Sequence, residues 1–318
     1  MGIADYALAM PGGKRSVDEV ARASGVDPGK LERVLPSGKF SVLAEGETSW
    51  GLGRAAAARL LERNPVRPEE IGLVLYAGSS EWGTPFWSPA AKIAQELGIT
   101  DAHCYEVSNF CNAGMVAVKL ADDQVRAGTH QYALVVVADR LSELVEYGTG
   151  YVELFNFADG AAAVLLTADP AQSAYDVLGA AHHTDPRWVD AYYGQLKDGE
   201  VKVERGDKLD GLGEAFLDNF TTLTHRVLKD IGRQVADVAY FLVTHGNQET
   251  HRDYLAALGV DASRSVFQYG LDGHLGGADP LAALEELERD GRIGPGDLVI
   301  VATAGSGFTW GVTALRRT

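Results

Sequence analysis

The segment YEVSNFCNAGMVAVKLADDQVRAG, Tyr105–Gly128, decides the fold. Tyr105 to Val107 form a short apolar run, which Ser108, Asn109 and Phe110 interrupt before Cys111. The amphipathic run 112–126 then has the 3.6-residue spacing of a helix. A strand that turns into a helix at a cysteine is where nucleophiles are held exposed. Most cysteines are buried core residues, so the context must separate the two uses. Asn112, Ala113 and Gly114 are small or polar and leave the sulfur little covered. The positive end of the helix favours the thiolate. Cys104 lacks this context and reads as core. Two cysteines are too few for a disulfide framework, and a bridge within one strand-and-turn segment is not expected.

Outward from this segment, short runs rich in Val, Leu and Ile predict strands at 71–77, 133–138, 161–167, 239–244, 298–302 and 311–315. Such near-continuous runs suit strands covered on both faces. Helical patterns lie between them at 49–62, 88–97, 112–126, 215–231, 249–258 and 280–290, and the alternation predicts an α/β architecture. A faint repeat relates the halves. TSWGLGRAAAARLLERNPVRPEEIGLVLYAG in the first half has the same order of elements as AFLDNFTTLTHRVLKDIGRQVADVAYFLVTHG in the second. Three regions follow: 1–167 with the cysteine, a polar, turn-rich linker at 168–214 read as surface hairpin and loop, and 215–318. Packed as two copies of one unit, the ends of matching strands meet, and Cys111 sits at one such end.

The chain has 318 residues, 46% of them hydrophobic, enough for a sizeable core. Asp and Glu number 44 against 28 Lys and Arg, a net charge of −16. That argues against nucleic acid and against an anionic membrane. No secretory signal opens the chain and no run approaches about 18 apolar residues, so the expectation is a cytoplasmic, reduced protein.

The second half supplies polar partners for Cys111. His245 directly follows an apolar strand in VAYFLVTHGNQ, and the repeat turns that strand end toward Cys111. The glycine-rich stretch YGLDGHLGGADP contains His274 and Asp279; Asp279 precedes Pro280, so helix capping is its competing use. In ATAGSGFTW, Gly305, Ser306 and Gly307 form a turn after a buried strand that can aim backbone N–H groups at an oxyanion. His245 with His251, and His182 with His183, lack the spacing of common zinc motifs, so no metal is expected.

These pieces resemble condensing enzymes of the ketoacyl synthase III type. EVSNFCNAG is similar to their nucleophile turn, FNFADGAAAVLL to their FGDGAGA segment, VTHGNQ to their histidine turn and GSGFTWG to their C-terminal glycine loop; GRIGPGD also fits. The resemblance runs from about Val20 to the end. It implies a thiolase-like fold with duplicated halves in five layers, αβαβα, a homodimer, and acyl transfer through a cysteine thioester. No bound cofactor is implied; acyl-CoA or acyl carrier protein (acyl-ACP) is the substrate. Cys111 and His245 match the family's nucleophile and histidine, and Gly305 and Gly307 match its terminal glycines. Where condensing members carry Gly-Asn, this chain has GHLGGAD, with His274 at the Asn position. A subgroup of acyltransferases from natural-product pathways is similar, with Cys, His and Asp forming esters. An ionised Asp accepts hydrogen bonds only and suits holding a histidine better than stabilising an enolate. The expectation is therefore an acyltransferase in which Asp279 orients His245, acting on a small-molecule hydroxyl or amine acceptor. The alternatives are a decarboxylating condensing enzyme and a non-catalytic partner subunit. His274 could still donate to an oxyanion. Both donors are anionic, so a basic entrance is expected from Arg187, Lys202, Arg205 and Arg252, with Trp188, Tyr192 and Tyr193 beside it.

Overall fold

Runs such as ALVVVA and AAAVLL have no polar face to give to water, so they become strands covered from both sides. The computed structural model describes residues 1–36, 38–267 and 272–318. Its strands are β1 (Gly2–Ala9), β2 (Gly13–Ser16), β3 (Lys39–Val42), β4 (Ile71–Gly78), β5 (His103–Ser108), β6 (Tyr132–Arg140), β7 (Asp159–Thr167), β8 (Tyr175–Thr184), β9 (Tyr192–Lys197), β10 (Glu200–Arg205), β11 (Val238–Val243), β12 (Leu298–Gly305) and β13 (Thr309–Arg317). Its helices are α1 (Val17–Ser24), α2 (Pro28–Leu31), α3 (Ser49–Glu62), α4 (Pro89–Glu96), α5 (Ala113–Arg126), α6 (Leu212–Asp230), α7 (Gln248–Ala257) and α8 (Asp279–Arg289). The strands expected from apolar runs are all present.

The main sheet runs β5-β4-β6-β7-β1-β8-β13-β12-β11. Its halves repeat one pattern. In the first, β4 and β6 are parallel, β6 and β7 antiparallel, and β7 and β1 antiparallel. In the second, β11 and β12 are parallel, β12 and β13 antiparallel, and β13 and β8 antiparallel. A single bridge, Phe241–Ser265, lies beside β11 where β5 lies beside β4. The halves join through β1 and β8 at only two residue pairs, Gly2–Asp176 and Ile3–Tyr175.

Helices complete five layers, αβαβα. On one outside, α3 packs on β1, β6 and β7, and α4 on β4 and β5; on the other, α6 packs on β8, β12 and β13 beside α7. Between the half-sheets, α5 touches β4 to β7 on one side and β8 and β13 on the other, while α8 touches β1 and β11. α5 meets the 3-10 turn Gly276–Ala278, which leads into α8, at glycines: a Cβ on Gly114 would lie 2.6 Å from the carbonyl oxygen of Gly277. The smallness of Gly114 therefore serves this contact.

One expectation needs correction. The segment 168–214 is not only a surface linker. Its β9–β10 part is a hairpin, but β8 is a strand of the main sheet, paired with β13 from Tyr175 to Thr184. Tyr175, Val177 and Ala181 are buried, the residues between them half-buried and the last three exposed, which blurs the apolar run. Within the glycine-rich stretch, Tyr269, Gly270 and Leu271 lie outside the described residues.

Candidate active site

The chain leaves β5 at Ser108 and makes one 3-10 turn, Phe110–Asn112, before α5. Phe110 has φ +51°, a left-handed conformation that costs a non-glycine residue about 1–2 kcal/mol. That kink lifts Cys111 into a cavity. Asn112, read from sequence as part of an open surround, is fully buried. Its Nδ2 donates to Asn109 Oδ1 at 2.8 Å, and its Oδ1 accepts from Thr303 Oγ1 on β12. Asn112 thus bolts the nucleophile turn to the other half. Gly305 serves the same junction, since a Cβ there would lie 2.6 Å from the Asn109 carbonyl.

His274, not His245, reaches the sulfur. His274 Nε2 lies 3.1 Å from Cys111 Sγ, and His274 Nδ1 lies 2.5 Å from Asp279 Oδ2. The nearest ion-pair distance between His245 and Asp279 is 3.8 Å, Nδ1 to Oδ1, too long for the hydrogen bond expected there. What Asp279 accepts from His245 is its backbone N–H, at 2.7 Å, and it accepts the Leu275 N–H at 2.7 Å. Asp279 does not cap α8; it is the first helical residue, after an Ala278 N-cap. Its place at the helix start still faces the carboxylate toward the positive end of α8.

The electrostatics follow from burial and pairing. Burial alone would push the His274 imidazole toward its neutral form. Asp279 and Cys111 outweigh burial and hold its pKa well above the ordinary histidine value. For Asp279, burial raises the carboxyl, but His274 and His245 more than offset it and leave it below its usual range. His245 is pushed down, chiefly by burial.

Asn156 joins the histidine loops. Its Nδ2 donates to the carbonyls of His245 and Gly246, and its backbone carbonyl accepts from His274 N–H at 2.8 Å. Asp159, from the FADG segment, accepts from Leu43 N–H and from both the N–H and hydroxyl of Ser142, so it braces the wall behind the site. Asp139 is buried at the end of β6; its Oδ1 accepts from the N–H and hydroxyl of Ser79, and burial raises its carboxyl to about 6. Asn112, Asn156, Asp139 and Thr303 were invisible as site residues. Each is a single polar residue in or beside an apolar run, and only the tertiary contacts give it a role.

Cys111, His274, Gly305 and Ser306 share the wall of a cavity of about 740 Å³. Thr244, Gly246 and Asn247 line it, while His245 itself is not among the described lining residues. Gly307, at φ +89°, turns the chain toward β13 beside the Phe110 ring. The far wall is largely apolar, with Tyr192, Tyr193, Leu196, Val201 and Val203 from the hairpin facing α6. Trp188 packs on Gly211.

Each of the four cations named for a basic entrance has a partner within the protein. Arg187 pairs with Asp185 at 2.5 Å, and Lys202 contacts the Glu143 carbonyl at 2.7 Å and Glu200 at 2.8 Å. Arg205 pairs with Glu153 at 3.1 Å, and Arg252 lies over the Phe267 ring. Lys202 and Arg205 clasp the hairpin to the 141–157 segment. Among the described residues no group of three or more His, Cys, Asp or Glu could hold a metal, and no helix is long and apolar enough to cross a membrane.

Two family signatures match this chain: the 3-oxoacyl-[acyl-carrier-protein] synthase III domain over residues 105–186 and its C-terminal domain over 228–317. A beta-ketoacyl-[acyl-carrier-protein] synthase III from Sphingopyxis alaskensis is 30% identical over 282 residues, covering 87% of each chain. The chain belongs to the ketoacyl synthase III family. Another synthase III, from Pectobacterium atrosepticum, is 32% identical over 286 residues, covering 86% of each chain. The crystal structure of the Aquifex aeolicus 3-oxoacyl-[acyl-carrier-protein] synthase III superposes with a TM-score of 0.88 at 20% identity, covering 99% of both chains; at that identity it speaks for the thiolase-like fold alone. The chain is thus a ketoacyl synthase III-like enzyme of acyl-thioester chemistry.

Proposed function

We propose that this enzyme takes an acyl group from a CoA or carrier-protein thioester onto Cys111 and passes it to a hydroxyl or amine. The observation that carries the reading is His274 standing between Cys111 and Asp279, 3.1 Å from one and 2.5 Å from the other. In the first half-reaction the Cys111 proton passes to His274 Nε2 and the sulfur attacks the thioester carbonyl. Backbone N–H groups of Cys111 and the Gly305–Gly307 turn stabilise the oxyanion. The carrier's C–S bond breaks and its thiolate takes the proton back from His274. In the second, the acceptor gives its proton to His274 Nε2 and attacks the acyl carbon, and the Cys111 sulfur leaves and is reprotonated. Asp279 holds the imidazole in the tautomer that presents Nε2 and stabilises it when charged. His245 supports the loop through its backbone and adds positive potential when protonated.

The second reading is decarboxylating condensation, which the names of the relatives favour. One assay separates the readings. Acylated enzyme is offered malonyl carrier protein in one tube and alcohols and amines in another. Ester or amide product supports transfer; carbon dioxide release with a β-ketoacyl product overturns it in favour of condensation. A homodimer and a cytoplasmic location belong to the same proposal. In the main sheet, β5 is an edge strand paired with β4, and two copies can join there. An obligate interface of this kind buries more than about 2,000 Å², and a monomer in light scattering at micromolar concentration would contradict it.

A further inference from the structure

Two carboxylates line the cavity, Glu81 and Glu153. Their circumstances differ. Glu153 accepts from Tyr192 Oη and pairs with Arg205, each at 3.1 Å. The half-buried Glu81 carboxylate accepts no hydrogen bond from the described residues and has no cation within 4.0 Å among them. Its backbone, in contrast, is fixed: Glu81 N–H donates to Ser79 Oγ at 3.3 Å, and its carbonyl accepts from Arg140 Nε at 3.2 Å. The Arg140 guanidinium, the cation at hand, is turned to Glu143. Much of the remaining cavity lining is apolar, including Leu144, Leu154, Phe157, Leu196, Phe216 and Phe308. With its backbone fixed and its carboxylate taking no donor from the described residues, Glu81 is left able to accept from a hydroxyl or ammonium group of a molecule in the cavity.

We infer that Glu81 is a specificity-determining residue that recognises a second hydrogen-bond donor on the acceptor. The acceptor is then an apolar molecule with two polar ends: a hydroxyl or amine that attacks the acyl group, and a hydroxyl or ammonium that docks on Glu81. The inference rests on the acyl-transfer reading. The same carboxylate repels a malonyl group, so the two readings predict opposite signs when it is removed.

The test offers the acylated enzyme α,ω-diols of three to eight carbons, the matching n-alcohols and the matching amino alcohols. The wild type should favour a bifunctional acceptor over its n-alcohol by about tenfold or more in kcat/KM, as expected for a hydrogen bond to a charged group. Glu81→Ala should abolish that preference. Glu81→Gln should keep it for diols, whose hydroxyl the amide oxygen can accept, and lose it for ammonium groups. Because the readout is a ratio between acceptors, general damage to the fold cancels. A wild type without the preference, or a preference that survives in Glu81→Ala, overturns the inference and leaves acyl transfer standing. If the wild type transfers to none of these and instead makes a β-ketoacyl product, with a lower KM for the malonyl thioester in Glu81→Ala, acyl transfer itself fails and the Glu81 role falls with it.

Discussion

Asp279→Asn tests the relay most directly. The native carboxylate is fully buried and accepts three hydrogen bonds. Oδ2 takes His245 N–H and His274 Nδ1, and Oδ1 takes Leu275 N–H. Asparagine offers one oxygen and one NH2. With the oxygen toward His274, the NH2 meets the Leu275 N–H, and a buried donor is stranded at a cost of about 1–3 kcal/mol. With the amide reversed, the NH2 meets both the His245 N–H and His274 Nδ1. The imidazole then carries its proton on Nε2 and cannot take one from Cys111. Either way the imidazolium loses the charge beside it. Both half-reactions should slow by about 10³–10⁴, the scale of a base held in the wrong tautomer. The melting temperature should fall by several degrees. Time-resolved intact mass after mixing with acyl-CoA reads acylation, and product formation reads transfer. A relay through His245 would leave acylation largely in place after this change. The geometry expects acylation to fall as well, because His274 touches the sulfur. A variant that acylates and transfers within about threefold of wild type would refute the relay.

Other outcomes follow from the same contacts. Cys111→Ala should gain no acyl mass from an acyl thioester, whereas Cys104→Ala should gain it as the wild type does; an adduct on Cys111→Ala would remove the nucleophile assignment. Asp139, raised from 3.8 to about 6 by burial, binds its proton more tightly folded than unfolded. Its contribution is therefore lost as pH rises through about 4 to 6, by about 3 kcal/mol in all. Asp139→Asn should flatten the fall in melting temperature over that window, and parallel curves for the two proteins would count against the buried carboxyl. Asn156→Leu removes the Nδ2 bonds to the His245 and Gly246 carbonyls and should lower kcat by about tenfold or more, with Asn156→Ser partly restoring it; stopped-flow acylation unchanged in the leucine variant would show that this side-chain tie does not position the site.

Local chemistry in the sequence determined much of this protein. Apolar runs with no polar face had to be strands covered on both sides, and α3 occupies the 49–62 span read from its alanine-rich spacing. The order of elements exposed the duplication, and the break at Ser108–Phe110 marked where a thiol leaves a strand and enters a helix. Strand β1 was less legible, because Asp5 interrupts its pattern. That carboxylate bonds to Arg63 and Asn64 at the end of α3, beside a register shift between Ile3 and Asp5. The tertiary structure alone decided which histidine meets the sulfur. Periodicity and capping act within a few residues, whereas the contact of His274 with Cys111 spans 163 positions. It depends on how α5 meets the turn before α8 at Gly114 and Gly277 and on where Asn156 ties the loops. The same holds for charge: composition counts cations, but only the fold places Lys202 and Arg205 in a clasp and leaves Glu81 facing the cavity.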